Sequence, residues 1–228
     1  MVDCVRSAAS EFDADVYRLA VDKDLQAGAE RLASDRLKRA IDILFAFLAL
    51  VLLSPLLVIV AVIIPLDTAG SPVFRQRRTG RGGRVFVIYK FRSMHVCEDG
   101  DSVRQARKRD VRITAFGGFI RRTSIDELPQ LFNILKGDMS LAGPRPHAVA
   151  HDAFYGAIVP QYAHRFLAKP GLTGLAQVSG FRGPTETINA MAARVEADLE
   201  YIRRWSLWLD AQILLRTAVI FMFQPEAF

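Results

Sequence analysis

The strongest hydrophobic pattern in the chain is an uncharged apolar run from Ile43 to Leu66. It exceeds the roughly 20 residues that a helix needs to cross a bilayer, so we predict a membrane element here. Ser54 and Pro55 stand at its midpoint. Because proline removes an amide donor and clashes with the preceding turn, this pair predicts a break between two helical halves.

The basic residues on both sides of this run bear on its orientation. Cations precede and follow it: Arg36, Lys38 and Arg39, then Arg75, Arg77, Arg78, Arg81 and Arg84. Because flanking cations favour the cytoplasmic side, they assign both ends to that side. We therefore predict a re-entrant helix-break-helix over residues 36–70. A single-pass helix with a proline kink is the alternative.

The remaining spacing predicts a mixed α/β fold that is mainly helical. Partial alternation over residues 73–91, around a glycine-rich turn, predicts a β-hairpin. Spacings of three and four residues predict two helices, one through Leu128, Leu131, Phe132 and Leu135 and one through Met191, Val195, Leu199 and Ile202. We divide the chain into an acidic, poorly packed N-terminal extension (1–35), the membrane element (36–70) and a cytoplasmic domain (71–228).

A second apolar stretch covers residues 205–223. Asp210 and Arg216 interrupt it and make a crossing costly. We interpret it as an interfacial helix, with Tyr201, Trp205 and Trp208 at the level of the lipid headgroups. A helix packed on the domain core explains the same residues equally well.

Charge is distributed unevenly along the chain. The 228 residues carry a net charge of +6, but residues 1–35 contain eight acidic and four basic side chains, a net charge of −4, so the rest carries +10. The basic charge of residues 36–228 is compatible with binding to nucleic acid, to an anionic membrane surface or to a phosphorylated substrate. Charge alone does not choose among these partners. Cys4 and Cys97 are too few for a disulfide framework, which indicates a reducing compartment.

Two adjacent carboxylates, Asp126 and Glu127, are the candidates for chemistry. They follow Ser124 and precede the first of the two predicted helices, so both would lie in its first turn. Ser124 and Glu127 also satisfy S-x-x-E, which predicts a capping box. A cap and an anion site can coexist, because a helix N-terminus stabilises negative charge.

Arginines flank these carboxylates on both sides. Arg121 and Arg122 lie just upstream, and Arg145 lies between two prolines downstream. Planar, forked guanidinium donors are well suited to phosphate groups. The segment therefore predicts a site for a phosphorylated ligand.

Six short motifs lie along the chain between residues 38 and 180. They are KRAID (38–42), SP (54–55), FRQRRTG (74–80), YKFRSM (89–94), RRTSIDELPQLFNILKGDMSLAGPRP (121–146) and KPGLTGLAQVSG (169–180). In this order they resemble the bacterial sugar transferases, the monotopic polyprenyl-phosphate phosphoglycosyl transferases. The resemblance covers the chain from about residue 38 to its end, which is more specific than any single motif.

The resemblance implies an enzyme that transfers a sugar 1-phosphate from a nucleotide diphosphate sugar to undecaprenyl phosphate and releases the nucleoside monophosphate. It implies Asp126 as the nucleophile of a covalent phosphosugar intermediate and Glu127 as a ligand of a Mg²⁺ cofactor. It also implies the family's broken helix at Ser54 and Pro55. The substrate-binding residues that it implies are Arg121, Arg145, Lys90, Arg92 and Asp198.

Within the family, residues 144–151 and 198–210 look most like enzymes that start exopolysaccharide synthesis by transferring glucose 1-phosphate. A galactose 1-phosphate transferase and a non-enzymatic, membrane-anchored basic adaptor are the alternatives. The expected location is the cytoplasmic face of the bacterial inner membrane. The expected partners are both substrates and membrane lipid, without nucleic acid, and a homodimer is left open.

Overall fold

The described part of the chain is mostly helical. A computed structural model describes residues 22–95, 110–183, 185 and 187–223, so Cys4 and Cys97 lie outside the described residues. The helices are α1 (Lys23–Ser34), α2 (Arg36–Asp67), α3 (Ala115–Arg122), α4 (Gln130–Lys136), α5 (Val149–Ile158), α6 (Leu175–Val178), α7 (Ile188–Arg204) and α8 (Leu207–Phe223). Short 3₁₀ helices cover Arg81–Gly83, Ile125–Glu127 and Tyr162–Leu167. The predicted fold class, mixed α/β and mainly helical, is confirmed.

The predicted hairpin is present. β1 (Val73–Thr79) and β2 (Val85–Phe91) pair in antiparallel register over their whole length. Gly82 and Gly83 in the connecting turn have φ of 66° and 75°, a left-handed conformation that glycine adopts without strain. β2 contacts the 3₁₀ helix Ile125–Glu127, so the hairpin lies beside the predicted carboxylates.

A second, shorter pair joins β3 (Ser140–Ala142) to β4 (Gly171–Thr173) in parallel. Beside this strand pair the two backbones approach so closely that a Cβ on Gly171 would lie 2.2 Å from the backbone nitrogen of Gly143. Only glycine fits there. The amide of Gly171 also donates to the carbonyl of Pro144 at 2.9 Å. This contact holds the loop that carries Arg145.

The long helix α2 continues through Ser54 and Pro55. The predicted break between two helical halves is therefore wrong as a statement about secondary structure. Pro55 has no amide to donate to the carbonyl of Val51, four residues earlier. The hydroxyl of Ser54 donates to that carbonyl instead, at 2.8 Å. This substitute bond explains how the helix passes the proline.

One face of α2 packs on the rest of the protein. Ala46 and Leu50 are buried with residues of β2, α4 and β3, and Val60 and Ile64 are buried with residues of β2 and α3. The opposite face is apolar and exposed: Leu44, Phe45, Phe47, Leu48, Val51, Leu52, Val58, Ile59 and Val62. Among the described helices, α2 alone is long and apolar enough to cross a membrane. This surface indicates membrane association.

Polar contacts fasten both ends of α2 to the same body of the protein. Near its start, Lys38 Nζ lies 2.6 Å from Asp210 Oδ2 of α8, and Asp42 accepts a hydrogen bond of 3.0 Å from the amide of Leu141. At its end, the guanidinium of Arg92 donates to the carbonyls of Thr68, Ala69 and Gly70. The helix is therefore held at both termini by residues of the domain that follows it.

The described part of the N-terminal extension belongs to the core. Leu25 of α1 is 1% exposed and packs with residues of α7. Gly28 permits α1 and α7 to approach closely, since a Cβ at this position would lie 2.1 Å from the carbonyl oxygen of Ile202. The expectation of poor packing is wrong for residues 22–35, and residues 1–21 lie outside the described residues. The predicted domain boundaries stay a prediction.

The second apolar stretch forms α8, which packs on the core with one face and exposes the other. Ile213 is 1% exposed, whereas Trp208 is 72% exposed. Tyr201 and Trp205 are buried and donate to the carboxylate of Asp210, at 2.8 Å and 3.2 Å. The expectation that these two lie at the headgroup level is wrong, because a buried carboxylate holds both. The interfacial placement of the exposed face stays a prediction.

We expect Asp210→Ala to lower the free energy of unfolding by about 3 to 5 kcal/mol, because it leaves the buried ammonium of Lys38 without its partner. The measurement is chemical unfolding of the purified protein in detergent micelles. Asp67→Ala, at an exposed position of α2, is the matched control and should stay within about 0.5 kcal/mol of wild type. A loss no larger than that of the control would contradict this account of Asp210.

Candidate active site

The two predicted catalytic carboxylates lie in the 3₁₀ helix between α3 and α4. Asp126 and Glu127 are 7% and 8% exposed. Helix α4 begins only at Gln130, after Pro129, so the carboxylates precede this helix. The prediction that they occupy its first turn is wrong, because the proline separates a tight 3₁₀ turn from the helix.

Ser124 does not form the predicted capping box. Its φ of 54° lies in the left-handed region, which residues other than glycine rarely adopt. Its side chain makes no capping hydrogen bond and instead accepts one of 2.6 Å from Arg182 Nη2. A strained residue beside buried carboxylates is typical of functional sites, where the surrounding contacts maintain the conformation.

Two cations hold the carboxylate of Glu127. Lys90 Nζ of β2 lies 2.9 Å from Oε1. Arg145 contacts both oxygens, with Nη2 at 2.5 Å from Oε1 and Nη1 at 3.2 Å from Oε2. Such a forked contact fixes the orientation of the carboxylate as well as its charge. The structure thus brings Lys90 and Arg145 to the predicted catalytic pair.

The two carboxylates have different ionisation properties. Burial raises the pKa of Asp126 to about 6, with the charge of Lys90 opposing and the charge of Glu127 adding to the effect. Burial alone would also raise the pKa of Glu127, but the charges of Arg145 and Lys90 outweigh it and hold that pKa well below its ordinary value. Glu127 therefore stays ionised, while Asp126 titrates close to neutral pH.

Arg121 also acts on Asp126. It lies in the last turn of α3, its Nη1 is 3.5 Å from the hydroxyl of Ser93, and its charge lowers the pKa of Asp126. The pair thus lies in a positive environment built from β2, α3 and the loop after β3. Such an environment favours a bound anion.

The structure places two other predicted substrate-binding residues in structural contacts. Arg92 binds carbonyl groups at the end of α2, as described above. Asp198 of α7 is 1% exposed and forms an ion pair of 2.7 Å with Arg165 Nε. Neither contact involves the carboxylate pair, so the substrate-binding roles of Arg92 and Asp198 stay predictions.

Sequence reasoning missed a buried basic cluster behind Arg145. Arg165 Nη2 donates to the carbonyl of Arg145 at 2.6 Å, and its Nε pairs with Asp198. Arg194 Nη1 lies 3.4 Å from His147 Nε2. Burial lowers the pKa of His147 well below its ordinary value, and the charges of Arg165 and Arg194 act in the same direction. His147 is therefore neutral, and the cluster holds the loop that presents Arg145.

Arg182 was also missed, although it contacts Ser124 directly. It follows the KPGLTGLAQVSG motif by two residues and belongs to no pattern with a recognisable chemical meaning. Only the folding of residues 169–183 beside the turn that contains Ser124 brings it to the site. The flanking glycines, Gly180 and Gly183, were the one available signal, since they indicate an irregular segment close to other backbone.

The donor set is compatible with Mg²⁺. Among the described residues, no group of three or more His, Cys, Asp or Glu side chains could hold a metal ion. Mg²⁺, however, is often held by one or two carboxylates and completed by water and substrate phosphates. Because Glu127 stays ionised and Oε2 keeps one lone pair beyond those used by Lys90 and Arg145, it fits that role together with bound phosphate.

Comparison with known proteins shows the family of this chain. The profile described as "Bacterial sugar transferase" matches residues 33–224, which include α2, both carboxylates and α8. The chain belongs to the bacterial sugar transferase family. Members of this family are enzymes, so the buried, cation-paired carboxylates belong to a sugar transferase.

Curated relatives of this sugar transferase carry related names. A UDP-glucose:undecaprenyl-phosphate glucose-1-phosphate transferase of Caulobacter vibrioides is 54% identical over 82% of this chain and 70% of its own length. A protein of the same name from Xanthomonas campestris is 50% identical over 82% of this chain and 39% of its own length. An undecaprenyl-phosphate galactose phosphotransferase of Salmonella typhimurium is 39% identical over 90% of this chain and 44% of its own length.

We expect Asp126→Asn to stabilise the sugar transferase near pH 7.5, by up to about 3 kcal/mol. The pKa of Asp126 rises from 3.8 to about 6 on folding, so its carboxyl group destabilises the folded state increasingly between pH 3.8 and pH 6 and fully above pH 6, and asparagine removes this ionisation. The gain should fall by about half at pH 5 and to less than about 1 kcal/mol near pH 4, where the carboxyl group is protonated in the folded state but still partly ionised in the unfolded state. Unfolding curves at the three pH values measure it.

Asp67→Asn, at an exposed position, is the control for this prediction and should show no gain at any of these pH values. A destabilised Asp126→Asn protein near pH 7.5 would contradict the prediction. It would mean that the neighbouring cations stabilise the charged form of Asp126 by more than burial disfavours it.

Proposed function

We propose that this sugar transferase transfers glucose 1-phosphate from UDP-glucose to undecaprenyl phosphate and releases UMP. The observation that carries the proposal is the buried pair of Asp126 and Glu127 clamped by Lys90 and Arg145. Relatives with the same proposed activity in their names support it at 50% and 54% identity. A basic adaptor would have no need to bury two adjacent carboxylates, since each buried charge costs free energy unless it is paired.

Asp126 is the proposed nucleophile. One oxygen of its carboxylate attacks the sugar-bearing phosphorus of the nucleotide sugar, and the bond from that phosphorus to the bridging oxygen breaks to release UMP. A phosphate oxygen of undecaprenyl phosphate then attacks the same phosphorus and displaces the carboxylate. A covalent step of this kind divides one difficult transfer into two in-line displacements. A pKa of about 6 leaves Asp126 ionised at neutral pH yet basic for a carboxylate.

The surrounding cations overcome the repulsion between anions. Two phosphate-bearing substrates must approach the carboxylate of Asp126, and these negative charges repel one another. Arg121 and Lys90 offset the charge at Asp126, and Arg145 extends the positive environment beyond Glu127. Bound Mg²⁺, held by Glu127 and substrate phosphate, would supply further charge neutralisation on the phosphoryl oxygens. Fixed cations of this kind need no reorganisation during the reaction.

We further propose that α2 is re-entrant, with both ends at the cytoplasmic face of the inner membrane. The contacts of Lys38 with Asp210 and of Arg92 with the end of α2 support this arrangement. Both anchoring contacts belong to one domain, which lies on one side of the bilayer. Proline can bend a helix without ending it, so a continuous α2 is compatible with re-entry. The site then lies at the headgroup plane, where the phosphate of a polyprenyl phosphate is found.

The proposed sugar is glucose, because the relatives of 54% and 50% identity are named for glucose 1-phosphate transfer. Galactose and N-acetylgalactosamine transferases occur at 39% and 42% identity. Discrimination between hexoses depends on a few hydrogen bonds to single hydroxyl groups, which the overall fold does not set. A panel of UDP-sugars is therefore part of the test.

We expect purified protein to release UMP from UDP-glucose only when undecaprenyl phosphate and Mg²⁺ are both present in multiple-turnover assays. Asp126→Asn should lower this turnover by about a thousandfold or more, because it removes the attacking oxygen. Asp67→Asn should retain wild-type turnover. Near-normal turnover by Asp126→Asn would overturn the assignment of the nucleophile. UMP release from another UDP-sugar alone would change the assigned sugar. Absence of UMP release from every UDP-sugar would overturn the proposed function.

We expect single cysteines at both ends of α2 to be reachable from the cytoplasmic side. Ala40→Cys and Ala69→Cys are exposed positions before and after the apolar run, in a background with Cys4→Ser and Cys97→Ser. A membrane-impermeant maleimide should label both in inverted membrane vesicles and neither in intact spheroplasts. Labelling of only one of them in inverted vesicles would show a single crossing and overturn re-entry.

A further inference from the structure

A cavity of about 270 Å³ opens directly beside the carboxylate of Glu127. Segments from four parts of the chain meet there: the turn before α4, β3, the β4 to α6 region and α8. The apolar part of its wall consists of Leu128, Leu141, Leu172, Val178, Leu214 and Ile220. The transfer step proposed above uses Glu127 but assigns nothing to this space.

Most of the exposed wall area is apolar, and the polar residues in it are Thr123, Ser124, Glu127, Thr173, Gln177, Arg182 and Thr217. Ser124, Glu127 and Arg182 lie together at the catalytic end, where Arg182 donates to the hydroxyl of Ser124. Two threonines in the wall, Thr173 and Thr217, bond to each other at 2.7 Å, so their hydroxyl groups do not need a ligand partner. A ligand that matches this distribution has an apolar body and an anionic end.

One wall of the cavity is a helix whose outer face is apolar. Leu214 and Ile220 of α8 line the cavity, while Trp208, Leu215 and Val219 of the same helix are exposed on the outside. The helix contains one tryptophan and four leucines, and exposed apolar side chains of these types are typical of a surface in contact with lipid. The cavity is therefore separated from the proposed bilayer surface by a single helix.

The geometry points to this cavity as the binding site for the first isoprene units of the acceptor, with the acceptor phosphate held at Arg182 beside Glu127. The inference rests on the proposed function and adds to it the side from which the acceptor enters. A 150 Å³ apolar cavity accepts benzene, which has six carbons, so 270 Å³ holds roughly two five-carbon units. The rest of a long polyprenyl chain would extend along α8 into the lipid.

A second apolar groove, of about 840 Å³, is the competing location. It lies between α2, with Ser54 and Leu57, β2, with Tyr89 and Phe91, and the start of α4, with Pro129 and Phe132. Successive side chains of a strand point to opposite faces, so Tyr89 and Phe91 face away from the side on which Lys90 meets Glu127. A chain bound in this groove would begin on the face of the hairpin opposite the carboxylate clamp. The geometry therefore favours the cavity at α8.

The first test compares two matched substitutions of half-buried leucines in apolar helices. Leu214→Trp fills the cavity and should raise the KM for undecaprenyl phosphate by about tenfold or more, with the KM for the UDP-sugar unchanged. Leu57→Trp fills the competing groove and should leave both values unchanged. An unchanged acceptor KM in Leu214→Trp, or a rise in Leu57→Trp alone, would overturn the inference. Absence of turnover in wild type would instead overturn the proposed function.

A binding test does not depend on turnover or on the folding of Leu214→Trp. Leu172→Cys places a thiol in the cavity wall, again with Cys4→Ser and Cys97→Ser, and its alkylation rate is measured in detergent. Farnesyl phosphate, a short prenyl phosphate, should slow alkylation by about fivefold or more at saturation, whereas inorganic phosphate should not. Arg182→Ala should weaken protection by farnesyl phosphate. Equal protection by inorganic phosphate, or no protection by farnesyl phosphate, would overturn the inference.

Discussion

The ion-paired burial of Glu127 is the constraint on which the rest of the site depends. Its partners come from separate segments: Lys90 from β2 and Arg145 from the loop after β3. A buried carboxylate costs several kcal/mol unless it is paired and hydrogen-bonded, so the turn, the strand and the loop must assemble together. Once they do, Glu127 stays ionised, and the pKa of its neighbour Asp126 is left close to neutral. The contacts that stabilise buried Glu127 thus also influence the ionisation of Asp126.

The partners of Glu127 are themselves held by buried polar contacts. Asn133 of α4 is fully buried, accepts from the amide of Tyr89 and donates to the carbonyl of Val87, so it fixes β2 on either side of Ile88. Arg165 holds the backbone of Arg145 from behind. These contacts let two long, flexible cationic side chains act as rigid donors. A site whose supporting residues are fixed in this way is already organised for anionic substrates.

The membrane element is part of the same assembly. The KRAID motif looks like a cationic flank of an apolar helix, but its polar residues make specific contacts with the domain. Lys38 pairs with Asp210, Arg39 donates to the carbonyls that end α4, and Asp42 binds the amide of Leu141. Because Leu141 lies in β3, the membrane helix is joined directly to the strand that leads to Arg145. The position of α2 and the geometry of the site are therefore mechanically connected.

Features that depend on neighbouring residues could be predicted from the amino-acid sequence: the apolar run of α2, the glycine turn of the hairpin, the adjacency of Asp126 and Glu127, and the motif order that identifies the family. Contacts between residues that are distant in the sequence become visible only in the folded protein. Ser124 binds Arg182 instead of capping a helix, Asp198 pairs with Arg165, and Trp205 is buried against Asp210. Local periodicity carries no information on such contacts, because closing long loops is stabilised by burial and pairing in the complete fold.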